Sequence, residues 1–434
     1  MDDSLSWRQV TIEEIAAKTP NAMATGPFGS AISARFFQDA GVPVIRGSNL
    51  SEDIGKRLVP DNLVFVSDEK AREFQRSKVV PGDLIFTCWG TIGQVGLIDA
   101  SAPYPEFIVS NKQMKLTPDP ESADSKFLYY LMSGPQVSNQ IRGMGIGSSV
   151  PGFNLGALKS IMISLPPLPE QRAIAHILGT LDDKIALNRQ MNQTLEQIAA
   201  ALFRSWFIDF EPVRAKMAGR EPEGMDAATV ALFPERLVDS ELGEIPEGWQ
   251  VKSLDQIATY LNGLAMQKFP PEGDSFLPVI KIAQLRKGDT EGADRASLDV
   301  PLAYVVSDGD VLFSWSGSLE VEIWSGGTGA LNQHLFKVSS DEFPKWFYFL
   351  WTRHHLPRFR EYARDKATTM GHIQRRHLTE AKVVVPPQLC LQRLNEVISP
   401  VVEKAFCNSI TSKTLASTRD LLLPELLSGA IRVS

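Results

Sequence analysis

Cysteine is scarce in this chain, which has only Cys88, Cys390 and Cys407 among 434 residues. They form neither a pairable framework nor a CxxC pattern, which excludes a disulfide-stapled secreted fold and a zinc ribbon and makes a reducing cytoplasm the expected location. Long apolar runs are missing too, so no membrane span is expected, and the opening residues MDDSLSWRQV are acidic with no apolar signal region. No Walker A loop, no H-E-x-x-H and no Cys/His cluster occurs. Both double prolines sit in LPPL and VPPQ rather than in the NPPY- or DPPF-type tetrad of an amino-methyltransferase. Residues 143–147, GMGIG, resemble a glycine-rich cofactor loop, but they follow a helical stretch rather than a strand and lack a downstream acidic partner. A turn is expected there, with no cofactor and no metal bound by this chain.

Excess positive charge is also lacking. A net charge of −7 argues mildly against a polyanion partner for the whole chain, but the sum hides a local asymmetry. Between 353 and 378 lie Arg353, Arg358, Arg360, Arg364, Lys366, Arg375 and Arg376, opposed only by Glu361 and Asp365. His354, His355, His372 and His377 fall in the same stretch, which reads either as a solvated face or as a polyanion-facing surface. The composition, 43% hydrophobic and 22% charged, is that of a soluble protein with room for two to four domains.

What is present is a duplication. Residues 77–98, SKVVPGDLIFTCWGTIGQVGLI, return in outline as AYVVSDGDVLFSWSGSLEVEIW at 303–324. Asn111-Lys112-Gln113 before MKL matches Asn332-Gln333-His334 before LFK, and KFLYYLMSG (126–134) matches KWFYFLWTR (345–353). A period near 220 residues is too long for a solenoid repeat and describes a globular domain plus a long helix, written twice. Short runs such as VPVIRGSNL, NLVFVS, DLIFTCWG and MKLTP read as strands of a mixed α/β domain, with helices near 12–17 and 127–132. The spacing divides the chain into a domain over 1–165, a helix over 166–210, a linker over 211–247 that is acidic from 221 on, a second domain over 248–385 and a second helix over 386–434.

The first helix is signalled by Pro169 and Glu170 at its start and by apolar residues at coiled-coil spacing. Ile174, Leu181, Asn188, Leu195 and Leu202 make one seam position, with Ile177, Met191 and Ile198 expected at the second. Leu394, Val401, Asn408, Leu415 and Leu422 repeat the first set at an offset of 220. An asparagine at the same seam position in both suggests that the two helices pack on each other, antiparallel and crossing near Asn188 and Asn408, with the amides satisfying one another. The alternative is two amphipathic helices, each lying on its own domain. Pro400 is expected to kink or break the second helix.

With catalytic motifs missing, the residue types that remain suit nucleic-acid recognition: Arg, Lys, Ser, Thr and amides for phosphates and base edges. In the first half they are Thr25, Phe28, Gly29 and Ser30, then Arg46, then Thr87, Trp89 and Thr91, then Asn111, Lys112 and Gln113, and finally Arg142, Ser148 and Ser149. In the second half they are Lys281, then Ser314, Trp315 and Ser316, then Asn332, Gln333 and His334, and then Arg364, Lys366, Thr368, Thr369 and His372. Two similar domains in one chain fit a pseudo-symmetric partner such as duplex DNA.

The stretch LPPLPEQRAIAHILGTLDDKIALNRQMNQTLEQIAAALFRSWFIDFEPVRAKMAGREPEGM resembles the central conserved region of the specificity subunit of type I restriction-modification systems, and GPFGSAI, VVPGDLIFTCWGTIG and GSSVPGFNL resemble its recognition-domain motifs. The resemblance spans essentially the whole chain. It implies two α/β target recognition domains in pseudo-two-fold arrangement, separated by two long antiparallel coiled-coil helices, each domain reading one half of a bipartite double-stranded DNA target. It further implies no active site in this chain and two docked methyltransferase subunits that bind S-adenosylmethionine, through which motor-nuclease subunits can be recruited. The second conserved region, PPQLCLQRLNEV, lacks the PEQ triplet and so departs from the pattern. Phe203, Trp206, Phe207 and Phe210 form an apolar cluster expected either to anchor the methyltransferase or to pack on the adjoining linker. A single-chain restriction-methyltransferase and a protein-binding coiled-coil adaptor are the rival readings.

Overall fold

The structure, a computed structural model, describes residues 7–145, 152–365 and 371–433. The chain divides into two compact units, one formed by residues 1–186 with 413–434 and the other by 187–412. Among the described residues no helix is long and apolar enough to cross a membrane.

The first unit holds strands β1 (Arg8–Thr11), β2 (Met23–Thr25), β3 (Val42–Ile45), β4 (Val64–Val66), β5 (Lys78–Val79), β6 (Leu84–Thr87), β7 (Val95–Leu97), β8 (Phe107–Val109), β9 (Gln113–Leu116) and β10 (Met162–Leu165). They pair in the orders β2-β9-β6-β7, β4-β3-β8-β5 and β1-β10, with β3 and β8 parallel. In the second unit a hairpin, β11 (Leu237–Ser240) and β12 (Gly243–Pro246), precedes β13 (Gln250–Ser253), β14 (Thr259–Asn262), β15 (Leu277–Ile280), β16 (Arg295–Ala296) and β17 (Val305–Val306). β18 (Val311–Ser314), β19 (Val321–Ile323), β20 (Gly329–Leu331), β21 (Leu335–Ser339) and β22 (Lys382–Val385) follow. The orders β14-β21-β18-β19, β16-β15-β20-β17 and β13-β22, with β15 and β20 parallel, reproduce the first unit strand for strand. VPVI, LIFT and FIV in the first unit and VLFS in the second are buried along their whole length, as short β-branched and aromatic runs between turns should be.

The strand pairing corrects one alignment read from the sequence. β9 and β21 each carry a lysine that reaches the backbone carbonyl opening an edge strand of the other sheet, β5 or β17: Lys115 Nζ lies 2.7 Å from the Lys78 oxygen, and Lys337 Nζ lies 3.0 Å from that of Val305. The same ammonium groups face Asp83 and Asp310, at 3.8 and 2.8 Å. Lys115 therefore matches Lys337, so Ser110-Asn111-Lys112 correspond to Asn332-Gln333-His334 and Gln113 to Leu335, one residue away from the match suggested by residue type. Gly26 and Gly263 mark the same point in both copies, because a Cβ there would stand 1.8 Å from the Ser110 oxygen or 2.2 Å from that of Asn332.

The helix expected over 127–132 is present as Ser125–Ser133, capped by Asp124, whose carboxylate accepts from the Phe127 N–H. The one expected over 12–17 is not a helix. Its backbone donors turn to neighbouring segments, Ile12 N–H to the Ile161 carbonyl and Ala17 N–H to that of Thr117, leaving a run of turns.

Two long helices run over Leu168–Phe207, 40 residues, and Gln388–Ser428, 41 residues. The second continues through Pro400, contrary to the expected break; the ring sits on an exposed face, and the surrounding turns bury Leu394, Ile398 and Val402 in the core. The helices are antiparallel within each unit. In the first, Glu170 pairs with Arg432 and Asp182 with Arg419; in the second, Asn188 Nδ2 donates to Ser412 Oγ at 3.2 Å and Asn192 Nδ2 to Ser409 Oγ at 3.0 Å. Asn188 and Asn408 are both buried, but their amides do not meet. Asn408 instead donates to Asn192 Oδ1 at 3.0 Å, and Ser412, the partner of Asn188, donates back to the Asn408 carbonyl. The crossing lies about half a turn beyond the midpoint expected from helix length.

Ile174, Leu181, Asn188, Leu195 and Leu202 are buried or half-buried, as are Leu394, Val401, Asn408, Leu415 and Leu422. The second seam position comes four residues after each of these rather than three. Leu178, Ile185, Ala199 and Trp206 fill it in the first helix, and Ile398, Arg419 and Leu426 in the second, whereas Ile198 is 43% exposed. The first set thus occupies the d positions, from which the next a position is four residues on.

The segment 211–247 is folded. A helix over Glu211–Met217, another over Ala227–Ala231 and the β11–β12 hairpin place Val213, Phe233 and Ile245 in the second unit's core. Phe203, Trp206, Phe207 and Phe210 belong to that same core, against Trp249, Trp346, Phe347 and Trp351, with ring centroids 4.9–6.3 Å apart. Phe207 is only 1% exposed. These rings are closed to a docking subunit, which corrects the expectation that they anchor one; the second unit has taken their apolar area for itself.

Candidate nucleic-acid interface

In the first unit the loops at one end of the sheets converge on a hollow of about 450 Å³. The turn after β6 brings Thr87, Trp89, Gly90 and Thr91; the turn between β8 and β9 brings Ser110, Asn111, Lys112 and Gln113; and the loop after β3 brings Arg46, Gly47 and Ser48. The loop after β2 joins this group through Asn111, whose Nδ2 donates to the Gly29 carbonyl at 3.2 Å. Phe28, Gly29, Ser30, Trp89, Thr91, Asn111 and Lys112 are exposed, and Thr25 is half-buried. Phe28 presents most of its ring to solvent, with the Arg76 guanidinium over one face at 5.5 Å.

Two of the expected contact residues lie beneath this surface. Thr87 is buried on β6 with its hydroxyl 3.2 Å from Gln94 Oε1, and Gln113 is fully buried, its Oε1 accepting from the Ser110 hydroxyl. They shape the loops rather than reach beyond them. Gln113 Nε2 and Arg46 Nε are buried without a protein acceptor, and both residues line the hollow. Arg46 is otherwise held by Nη2 on the Asn62 carbonyl at 2.7 Å. Arg142 is exposed, 3.6 Å from Glu52, and packs beside Gly93. Ser148 and Ser149 lie outside the described residues.

The second unit places the matching residues together. Trp315 Nε1 donates to Asn262 Oδ1 at 2.8 Å and approaches the Gln333 carbonyl at 3.2 Å. Ser316 Oγ and His334 Nδ1 are 3.0 Å apart, and the His334 and His372 rings pack against Trp315. Ser314, Ser316 and Asn332 are buried and hold turns: Ser314 Oγ donates to the Ser318 carbonyl at 2.6 Å, and Asn332 Oδ1 accepts from the His334 N–H. Trp315, Gln333 and His334 are half-buried, and His372 is exposed. Lys281, at the place of Arg46, pairs with Asp294. Asn262 was not anticipated; it precedes Gly263 as Thr25 precedes Gly26, a signal visible once the two glycines are matched.

The basic stretch is partly committed inside the unit. Arg353 pairs with Glu196 at 3.0 Å, Arg360 holds the Leu319 carbonyl and Glu320, and Arg358 Nε donates to the Tyr362 hydroxyl at 2.6 Å. His377 is buried, with Nδ1 accepting from the Gln374 N–H, so it closes a helix start instead of facing a polyanion. His355 Nε2 meets the Lys382 carbonyl at 2.8 Å, and burial lowers its pKa to about 4. Arg364, Arg375 and Arg376 are exposed, while Lys366, Thr368 and Thr369 lie outside the described residues. Among the described residues no group of three His, Cys, Asp or Glu side chains is arranged to hold a metal ion.

A family model described as the type I restriction modification DNA specificity domain matches the chain twice, over residues 7–197 and 246–395. The specificity subunit of the type I restriction enzyme MjaIX from Methanocaldococcus jannaschii is 28% identical over 379 residues, which is 84% of this chain and 81% of that one. The HindI specificity subunit from Haemophilus influenzae is 26% identical over 375 residues, 75% of this chain and 81% of that one. The crystal structure of a type I restriction-modification S subunit from M. genitalium shares the fold, with a TM-score of 0.56 at 14% identity over 98% of this chain and 97% of that one. The two matched regions coincide with the two copies of the strand diagram, and the chain belongs to the type I restriction-modification DNA specificity family.

Proposed function

We propose that this chain is the sequence-reading subunit of a type I restriction-modification complex, non-catalytic itself, with each unit reading one half of a bipartite duplex target. The observation that carries the reading is the hollow around Trp89, Thr91, Asn111 and Lys112, with its counterpart around Asn262, Trp315, Gln333 and His334. Amides, a lysine, a hydroxyl and a histidine are the groups that read base edges and hold phosphates, and each set sits on loops fixed by a sheet. The chain acts with two methyltransferase subunits, which bind S-adenosylmethionine, and through them with motor-nuclease subunits, in the cytoplasm. Its own residues supply recognition and assembly. The test is selection from randomised duplexes by the chain assembled with its methyltransferase. A bipartite consensus is expected, changed in one half by Asn111→Ala and in the other by His334→Ala. A consensus altered in both halves by either substitution refutes the division of labour.

A further inference from the structure

In the first unit one wall of the hollow is fastened to the long helices. The loop 46–63, between β3 and β4, brings Arg46, Gly47 and Ser48 to the hollow at its start. Asn49, fully buried, braces that end of the loop to its returning limb. Its Oδ1 accepts from the Arg46 N–H at 3.1 Å, and its Nδ2 donates to the Val59 and Asp61 carbonyls at 3.0 and 3.1 Å. The Arg46 guanidinium closes the same ring on the Asn62 carbonyl.

The middle of the loop sits on helices. Tyr129, in the helix Ser125–Ser133, donates its hydroxyl to the Ile54 carbonyl at 2.8 Å. Gly55 comes so close to the second long helix that a Cβ there would stand 2.6 Å from Arg419 Nη1. Arg57, its side chain 12% exposed, reaches Asp183 on the first long helix at 2.9 Å, Asp99 at 2.8 Å and the Tyr130 hydroxyl at 3.4 Å. Tyr130 donates to Asp182 at 2.5 Å, and Asp182 pairs with Arg419 at 2.7 Å. A guanidinium withdrawn from water and shared between carboxylates on two elements has one geometry to satisfy, so it fixes the loop's position more than it adds stability.

The second unit lacks these partners. The pairs Lys126–Asp183 and Lys345–Glu403, each 4.0 Å, mark the correspondence, and Phe349, Val402 and Ala199 stand in the places of Tyr130, Asp182 and Arg419. Lys281, in the place of Arg46, pairs with Asp294 inside its own loop. We infer that Arg57 is a positioning residue for the first half-site: it holds the loop on the helices so that Arg46 is presented to the DNA. This rests on the reading of the hollow as a recognition surface. Asp183, on a helix that contributes no residue to the hollow, serves the same purpose from the other side of the pair.

The test is selection from randomised duplexes by the chain assembled with its methyltransferase, comparing Arg46→Ala, Arg57→Met and Asp183→Asn. Arg57→Met keeps the side-chain length and removes the charge. Asp183→Asn alters a carboxylate that is 58% exposed, so this variant is expected to fold. All three should relax the same positions of the first half-site, by about tenfold for Arg57→Met, and leave the second half unchanged. Arg57→Met added to Arg46→Ala should relax them no further, because one acts through the other, whereas a general loss of structure would add its own effect. Hydrogen exchange should quicken at the Asn49, Val59 and Leu97 amides, which bond to Arg46, Asn49 and Arg57 carbonyls, while the β6 and β9 amides keep their protection. The inference is overturned if Arg57→Met and Asp183→Asn spare the first half, relax both halves alike or add fully to Arg46→Ala, or if Arg46→Ala itself changes nothing. Asn111→Ala separates the two readings: a change in the first half upholds the recognition surface whatever Arg57 does, and no change removes both.

Discussion

Lys112 and Gln113 are neighbours in sequence and opposites in exposure, and replacing each should separate recognition from folding. Lys112 is exposed at the rim of the first hollow, whereas Gln113 is fully buried, with Nε2 lacking a protein acceptor and Oε1 accepting from Ser110. A buried amide without its partner costs about 1–3 kcal/mol, and the hydrogen bond to Ser110 returns about 1 kcal/mol. The second unit carries Leu335 at the same register position, so the fold accepts an apolar side chain of similar size there. Gln113→Leu should therefore leave stability unchanged or raise it by up to about 2 kcal/mol, and alter target preference only slightly. Lys112→Ala should leave stability within about 0.5 kcal/mol. It should lower the slope of log affinity against log salt by roughly 0.9, the counterion release of one phosphate contact. Asn111→Ala should cost about 1–3 kcal/mol of discrimination at one position of one half-site. Urea unfolding gives the stability arm. Anisotropy of a labelled target duplex with the assembled complex, measured across a salt series, gives the binding arm. If Gln113→Leu abolished preference while Lys112→Ala left the salt slope untouched, the placement of the reading surface would be wrong.

Four further outcomes follow from the geometry. Phe207→Ala removes a core ring and should destabilise the second unit by about 3–5 kcal/mol, so the variant is expected largely insoluble; a folded variant that lost only its methyltransferase would restore the docking role. Asp182→Ala leaves the buried Arg419 guanidinium with the exposed Asp420 alone and should cost up to about 3–5 kcal/mol, while Asp182→Ala with Arg419→Ala should cost less than the sum of the single changes, read by hydrogen exchange in Ser125–Ser133. Asn408→Ala takes the donor from Asn192 Oδ1 and should cost about 1–3 kcal/mol in thermal unfolding, with Asn192→Leu in the same chain recovering part of it. Burial holds the folded-state pKa of His355 near 4, below its ordinary value, so its contribution to stability is complete above about 6.5 and is lost as pH falls toward 4. His355→Gln, which can keep the bond to the Lys382 carbonyl, should flatten the fall of melting temperature over that window, and an unchanged profile would assign the acid sensitivity elsewhere.

The duplication, the two long helices and the loops that gather at the hollows were legible because each leaves a periodic or recurrent trace in the residues. The seam set beginning at Ile174 was visible for the same reason, but the choice between a three- and a four-residue step to its companion was not. Ile177, Met191 and Ile198 are as apolar as the residues that do face inward, and only packing against the second helix and the domain decides between them. The match of Asn111-Lys112-Gln113 to Asn332-Gln333-His334 failed through a similar degeneracy: polar turn residues resemble one another, whereas Lys115 and Lys337 are fixed by the carbonyls they reach. The fate of Phe203, Trp206 and Phe207 depended on Trp249, Trp346 and Trp351, whose approach no local pattern encodes. Gly96 and Glu322 are matched in the same way, by strand register. Each is unremarkable within its own strand, and neither would draw notice by type. Set at one register position, they lie under the same loop in both copies, Leu50 packed on the glycine and Leu285 lining one hollow with the acid. A duplicated chain therefore carries a comparison within itself, and the shared strand register, not residue type, fixes which positions of its halves are to be compared.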